Sequence, residues 1–398
     1  MPRSPKKSAH TSAKRSPRPP AKRVKVKLSP LAEYQQTVKD QGIATISTLA
    51  QDECVSNIPG RISSGSLALD RILRNEGEPA DWMGYPLSRV VELFGPPHVG
   101  KSTLMDQAFA SVQRVGGVGV LADTEISRDR NYVSRLQCDV SKLQYLEFPP
   151  DGMHVENILR VVAMTIDWWR THHPLVPVVI GWDALGGTAT EDEIERGLVG
   201  EKRTKPGAAA KAMALASRLL TPKLAGSRIV FLIANHEYQN IQTGAFAGKK
   251  RETYGGSGTR HMASLRIQLY NAGDYIKGPD GVILGREVVA KLVKNRLGKT
   301  VQAVLPMLTG FGTDNVWTLY DDLRRRKLIT AAGSWAALNL DGQVIQFQGW
   351  LGLRRAIDQD PTLYPRLVSV WQLDLATVPA EGQPEGQSST IEGQDAEE

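Results

Sequence analysis

An α/β fold with a largely parallel sheet is what this sequence predicts, and three observations carry the prediction. Short unbroken apolar runs recur between residues 89 and 294, the pattern of strands buried on both faces. Stretches with helical periodicity fill the intervals between them. The first run leads straight into a Gly/Pro turn and then a helical pattern, the entry of a strand–helix unit.

Taken in order, residues 1–29 combine repeated Pro, Ser, Lys and Arg with almost nothing to bury, so a disordered basic arm is expected. From Leu31 to about Leu49 the pattern is mildly helical. In ISSGSLALDRIL, residues 62–73, Ser and Gly precede a periodic apolar run, a helix start. RVVELF (89–94) is the first buried strand, and a helix follows from Ser102. Further strands are expected at GVGVLAD (117–123), VPVVIGWD (176–183), RIVFLIAN (228–235), SLRIQLY (264–270) and EVVAKLVK (287–294), with helices at 153–170 and 208–220. Two Gly/Lys-rich stretches, 191–207 and 237–256, show neither periodicity; loops that long inside a domain are usually functional or disordered. Beyond Gly312 comes a helix-rich module containing WTLYDDLRRRKLI and WLGLRRAI, and the final EGQPEGQSSTIEGQDAEE is expected to be disordered. The predicted organisation is an arm (1–29), an N-terminal segment (30–60), an α/β core (61–310), a small α+β C-terminal domain (311–375) and an acidic tail (376–398).

Charge sharpens this division. The 398 residues carry a net charge of +7, but ten of the 49 Lys+Arg lie in residues 1–27, without an acid, and six of the 42 Asp+Glu lie in residues 381–398, without a base. A nearly neutral body between two charged tails points to a polyanion partner. No run of about eighteen apolar residues exists to span a bilayer, and no apolar signal core follows the basic arm, so no membrane partner and a cytoplasmic location are expected. Cys54 and Cys138 are too few for a disulfide framework, and with seven scattered histidines they argue against structural zinc. Repeated Pro in the arm opposes an amphipathic transit helix. PAKRVKVK reads equally as a nuclear address or a nucleic-acid contact.

The strongest local signal is GPPHVGKST: Gly95, Pro96, Pro97, His98, Val99, Gly100, Lys101, Ser102 and Thr103 match G-x-x-x-x-G-K-[ST] between a strand and a helix. In such a loop backbone amides face the phosphates of ATP, Lys101 reaches the β/γ oxygens and the Ser102 hydroxyl serves Mg²⁺. Asp183 ends its strand where a second Mg²⁺-directing oxygen belongs. Glu125 follows another strand onto the same sheet edge, where ligands of parallel sheets bind. Either carboxylate alone reads equally well as a solvated loop residue or a helix cap.

With ISSGSLALD, RVVELFGPPHVGKSTL, DTEISRDRNYVSRLQ, the WDAL strand end, FLIANH, YGGSGTRHMASLRI and VAKLVKNR in this order, the chain resembles the RecA family of recombinases over most of its length. The resemblance implies a RecA-like P-loop ATPase core with a mostly parallel sheet. It casts Glu125 as the base that activates water, Asp129 and Tyr132 as the adenine holders, and His236 as the strand-end sensor of the γ-phosphate. Lys294 and Arg296 become cations supplied to the ATP of a neighbouring subunit. The two long stretches resemble the family's DNA loops, with Pro206 and Ile241 at the wedge positions, Gly255 and Gly256 against the phosphates with Ser257 beside them, and Lys211 and Arg218 as phosphate contacts. Lys249, Lys250 and Arg251 add charge for sequence-independent binding. Single- and double-stranded DNA, a helical homo-oligomer in which residues 30–60 take part, and loading or mediator proteins are the partners implied.

The sequence departs from the bacterial pattern at His236, which replaces a Gln, at His261, which replaces an aromatic residue, in longer DNA loops and in the added arm. These differences point to a phage-borne or otherwise divergent branch. The competing readings are a ring helicase on the same core and a DNA-binding mediator with weak ATP turnover.

Overall fold

The computed structural model describes residues 29–377, apart from 43, 52–53, 76, 80, 198–206, 241–249, 279 and 341. The basic arm up to Leu28 and the acidic tail from Val378 lie outside the described residues. Two compact units, Met1–Cys54 and Val55–Glu398, divide the chain. The first contains helix α1 (Pro30–Asp40), started by Ser29, whose hydroxyl accepts from the Ala32 amide at 3.2 Å. It is shorter than the predicted 31–49 because Gly42, at φ +71°, turns the chain out of the helix.

In the second unit β1 (Arg61–Ile62) pairs antiparallel with β2 (Tyr85–Pro86), and α2 (Leu67–Leu73) between them begins at Ser66, as the ISSGSLALD pattern requires. The unit then alternates: β3 (Val90–Gly95), α3 (Lys101–Arg114), β4 (Val118–Asp123), α4 (Arg130–Arg135), β5 (Gln144–Tyr145), α5 (Val155–His172), β6 (Val178–Asp183), α6 (Glu191–Arg196), α7 (Ala208–Leu224) and β7 (Ile229–Asn240). There follow β8 (Lys250–Thr253), α8 (Gly256–Met262), β9 (Leu265–Lys277), β10 (Ile283–Asn295), β11 (Gln302–Leu308) and β12 (Gly312–Thr313). The sheet order is β12-β11-β10-β9-β3-β7-β6-β4-β5, with β8 paired to β7. From β9 to β5 every neighbour is parallel; β10, β11 and β12 form an antiparallel wing.

The period of two explains why the parallel strands read as unbroken apolar runs. In β7, Val230, Leu232 and Ala234 face the layer of α2 and α3, whereas Ile229, Phe231 and Ile233 face α5 and α7. Each helix answers with one apolar stripe, Val155, Ile158, Leu159, Val162 and Ile166 in α5 and Met213, Ala216, Leu220 and Leu224 in α7.

Both stretches read as lacking periodicity contain more structure than that. The first opens with α6, held by a capping box between Thr190 and Glu193. In the second, β7 runs on to Asn240 and pairs antiparallel with β8. Beyond β12, α9 (Asn315–Arg325), the antiparallel strands β13 (Ile329–Ala332), β14 (Trp335–Leu340) and β15 (Gln343–Phe347), α10 (Gly349–Gln359) and α11 (Leu363–Thr377) surround a further apolar cluster around Leu319, Leu338, Leu353 and Trp371.

Candidate nucleotide and nucleic-acid sites

Because β3, β4, β6 and β7 are parallel, Gly95, Asp123, Asp183 and His236 all emerge near one edge of the sheet. The turn after β3 needs its glycines. A Cβ on Gly95 would lie 2.1 Å from the Leu269 carbonyl oxygen, and one on Gly100, at φ +92°, 2.4 Å from Met307 Sδ. Gly100 starts α3, so the first amides of that helix face the turn. Lys101 is buried and donates from Nζ to the carbonyls of Gly95 at 3.1 Å and Pro96 at 2.8 Å. Burial lowers its pKa, against the pull of Asp183, Glu125 and Glu237. Ser102 Oγ donates to Asp183 Oδ2 at 2.6 Å, and Thr103 and Tyr132 share a hydroxyl hydrogen bond of 2.8 Å.

These groups open onto a cleft of about 640 Å³, within the size range of nucleotide pockets. Pro97, His98, Glu125, Tyr132 and His236 line it, together with Tyr275 of β9, Ile283 and Arg286 of β10, and Met307 and Leu308 of β11. Arg286 also donates to the His98 carbonyl. The paired Ser102 hydroxyl and Asp183 carboxylate are the hard oxygen donors that suit Mg²⁺, so the residues fit the metal that the motif implies. Asp129 caps α4, accepting from the Tyr132 amide at 2.7 Å, and thereby fixes Tyr132 at the cleft.

Beneath the turn lies a charge cluster that sequence reasoning missed. Arg128 reaches Asp183 at 2.5 Å, Asp106 at 3.1 Å and Asp123 at 3.9 Å, all three carboxylates buried. Burial works against the guanidinium charge, but Asp106, Asp183 and Asp123 outweigh it and hold the Arg128 pKa above its ordinary value. Burial pushes Asp106 up to about 6 even with Arg128 beside it. Asp123 accepts from the amides of Ser127 and Arg128, and the Thr124 amide donates to the Asp183 carbonyl, so the loop carrying Glu125 is pinned at both ends.

Glu125 meets His236 on that loop's open side: Oε1 and Nε2 are 2.6 Å apart, with side chains about one-third and one-quarter exposed. Next to His236 in β7, Asn235 donates to Glu92 at 2.8 Å and to the Tyr254 carbonyl at 3.0 Å, while Arg266 pairs with Glu92 and reaches Thr253. A buried polar chain therefore ties the strand end beside the cleft to the residues around β8.

Lys294 and Arg296 are not brought to the cleft. Lys294 lies at the end of β10 and Arg296 just beyond it, and they donate to the Arg260 and His261 carbonyls of α8. Burial, then Arg296 and Arg266, push the Lys294 amine down to about 8.

Among the nucleic-acid candidates, Lys211 and Arg218 are exposed along α7. Gly255 starts α8 at φ +78°, where a Cβ would lie 2.0 Å from Thr259 Oγ1; Gly256 follows at φ +58° and Ser257 is exposed. Lys250 and Arg251 lie in β8, opposite Asn240 and Gln239. Pro206, Ile241 and Lys249 lie outside the described residues.

Comparison with known proteins adds an independent finding. The family model for the RecA N-terminal domain matches residues 31–312. Protein RecA of Acinetobacter baylyi is 27% identical over 347 residues, which cover 87% of this chain and 91% of that protein. Among the described residues no helix is long and apolar enough to cross a membrane, and no group of three or more His, Cys, Asp or Glu is placed to hold a metal.

Proposed function

Since the chain belongs to the RecA family, we propose that it is a DNA-dependent ATPase that polymerises head to tail on single-stranded DNA, pairs it with homologous duplex and exchanges strands. One observation carries the reading: Lys101, Ser102, Asp183 and the Glu125–His236 pair share a strand-end edge with the hairpin that leads to Gly255 and Gly256.

Lys101 exchanges its two loop carbonyls for phosphate oxygens when ATP enters, and Tyr132 offers a ring face to the base. Ser102 and Asp183 would hold Mg²⁺, which when bound would supply positive charge against the phosphate oxygens. Glu125 takes the proton of the attacking water. His236 bonds Glu125, so a γ-phosphate that competes for the imidazole frees the carboxylate and is felt at the same moment in β7. Lys294 and Arg296, turned away from their own cleft, serve the neighbouring protomer's ATP, where positive charge meets the developing γ-phosphoryl charge. An open head-to-tail contact yields a helical filament. In this arrangement residues 30–60 contribute to the subunit contact and 311–375 form a satellite domain. Lys211, Arg218, Lys249 to Arg251 and the Gly255–Gly256 turn grip the DNA backbone, and the protein works in the cytoplasm with DNA as its polyanion.

The test is ATP turnover with and without single-stranded DNA, beside electron micrographs of the same mixtures. Stimulated turnover and helical filaments are expected. Closed rings would favour a helicase-type assembly, and turnover indifferent to DNA would overturn the reading.

A further inference from the structure

We infer that Tyr238 and Tyr254 form a stacking surface for the bases of single-stranded DNA, set directly beside the Glu125–His236 pair. The inference rests on the DNA-dependent function proposed above and adds a base contact to what is otherwise a grip on phosphates.

Both rings are solvent-exposed, 38% and 44%, on and just after the β7–β8 hairpin. Tyr238 lies opposite Glu252, and Tyr254 is two residues further on, so the period of two puts both rings on one face. Their centroids are 4.9 Å apart, with the planes tilted at 53°. A cross-strand aromatic pair often does no more than steady a hairpin. Three features here exceed that role.

Tyr254 sits on the turn after β8, immediately before Gly255 and Gly256, at the point where DNA phosphates are proposed to lie. Its backbone is fixed, since the Asn235 side chain donates to its carbonyl and to the buried Glu92. One edge of its ring is packed: Tyr254 Cδ2 and His236 Cδ2 each lie 2.9 Å from the place a Cβ would take on Gly186. A platform ordered in advance loses little freedom on binding. The surrounding charge favours nucleic acid. Arg260 is exposed on α8, Lys211 and Arg218 are exposed on α7, which packs along α8, and the facing carboxylate Glu252 is engaged by the Tyr238 hydroxyl. Bases stack on aromatic rings without regard to sequence, which suits a protein that leaves recognition to base pairing. Because His236 and Tyr254 share the space beside Gly186, a base seated on Tyr254 presses on the residue that bonds Glu125.

The experiment measures binding of a labelled oligothymidylate and of an abasic oligonucleotide of equal length by fluorescence anisotropy, with a non-hydrolysable ATP analogue. Tyr238→Leu/Tyr254→Leu should weaken oligothymidylate binding about tenfold or more, while binding of the abasic strand changes less than about twofold. Tyr238→Phe/Tyr254→Phe, which keeps the rings, should bind both strands as the wild type does. Equal losses on the two strands, an undiminished affinity for oligothymidylate, or failure of the Phe variant would each overturn the inference. Wild-type protein that binds neither strand would instead refute the DNA-dependent function on which it rests.

Discussion

The charge cluster under the phosphate turn and the Glu125–His236 pair above it use the same ingredients, carboxylates and a cationic or protonatable partner, on neighbouring strand ends. They differ in access to water. Around Arg128 the side chains are 10% exposed or less, whereas His236 and Glu125 are 26% and 33% exposed. A guanidinium held by buried carboxylates cannot change partners without leaving charge in a medium of low dielectric. A partly exposed pair can trade its hydrogen bond for water or phosphate at small cost. The site is thus built on a fixed floor, which holds Asp183 and the Glu125 loop, and an adjustable face open to a nucleotide.

The largest expected effect tests the adjustable face. Glu125→Gln keeps the shape of the side chain but removes the carboxylate proposed as the base, so steady-state ATP turnover should fall about 10²- to 10⁴-fold. Binding of a fluorescent ATP analogue should stay within about threefold of wild type. Turnover preserved in the variant would reduce the Glu125–His236 contact to a surface ion pair and erase the contrast.

The next effect tests the floor. Arg128→Met strands the buried carboxylates and should cost roughly 3–5 kcal/mol in urea-unfolding stability. Asp106→Leu/Arg128→Leu, which replaces the guanidinium together with one partner by apolar groups, should recover at least half of that loss, since Asp183 keeps Ser102 and Asp123 keeps its backbone amides. A single variant as stable as wild type would show that the cluster is not a scaffold.

The phosphate turn differs from both of these regions in how it reads from sequence. The phosphate turn is contiguous, and its neighbours Asp183 and Glu125 follow strands whose apolar runs announce their ends, so both were visible. Arg128 was not, because it gathers Asp106 from α3, Asp123 from β4 and Asp183 from β6, and each charge alone resembles a solvated surface residue. The pairing of His236 with Glu125 spans 111 positions and leaves no local trace. Local chemistry was available for α6, where Thr190 and Glu193 spell a capping box, and for β14, where Ala336, Leu338 and Leu340 alternate inward. The hairpin of β7 and β8 was hidden because EYQN and KRET carry no apolar alternation; their pairing is set by the strand that precedes them.

The smallest expected effect asks whether the floor's charge is itself titratable. Burial raises Asp106 to about 6, above the ordinary carboxyl value near 3.9 that the unfolded chain keeps. Below about pH 4 both states hold the proton. Between about 4 and 6 the folded protein retains a proton that the unfolded chain has lost, so stability falls as pH rises through that window, and above it the loss is complete. Asp106→Asn cannot titrate. Its stability relative to wild type should therefore improve from pH 4 to pH 7, on the order of 1–3 kcal/mol, whatever its absolute value after loss of the Arg128 ion pair. Asp70, which burial also raises to about 6, slopes in the same direction but is common to both proteins, so the difference isolates Asp106. Parallel stability curves for the two proteins, by urea unfolding across this range, would mean that Arg128 keeps the Asp106 carboxylate ionised throughout and that the floor is insensitive to pH.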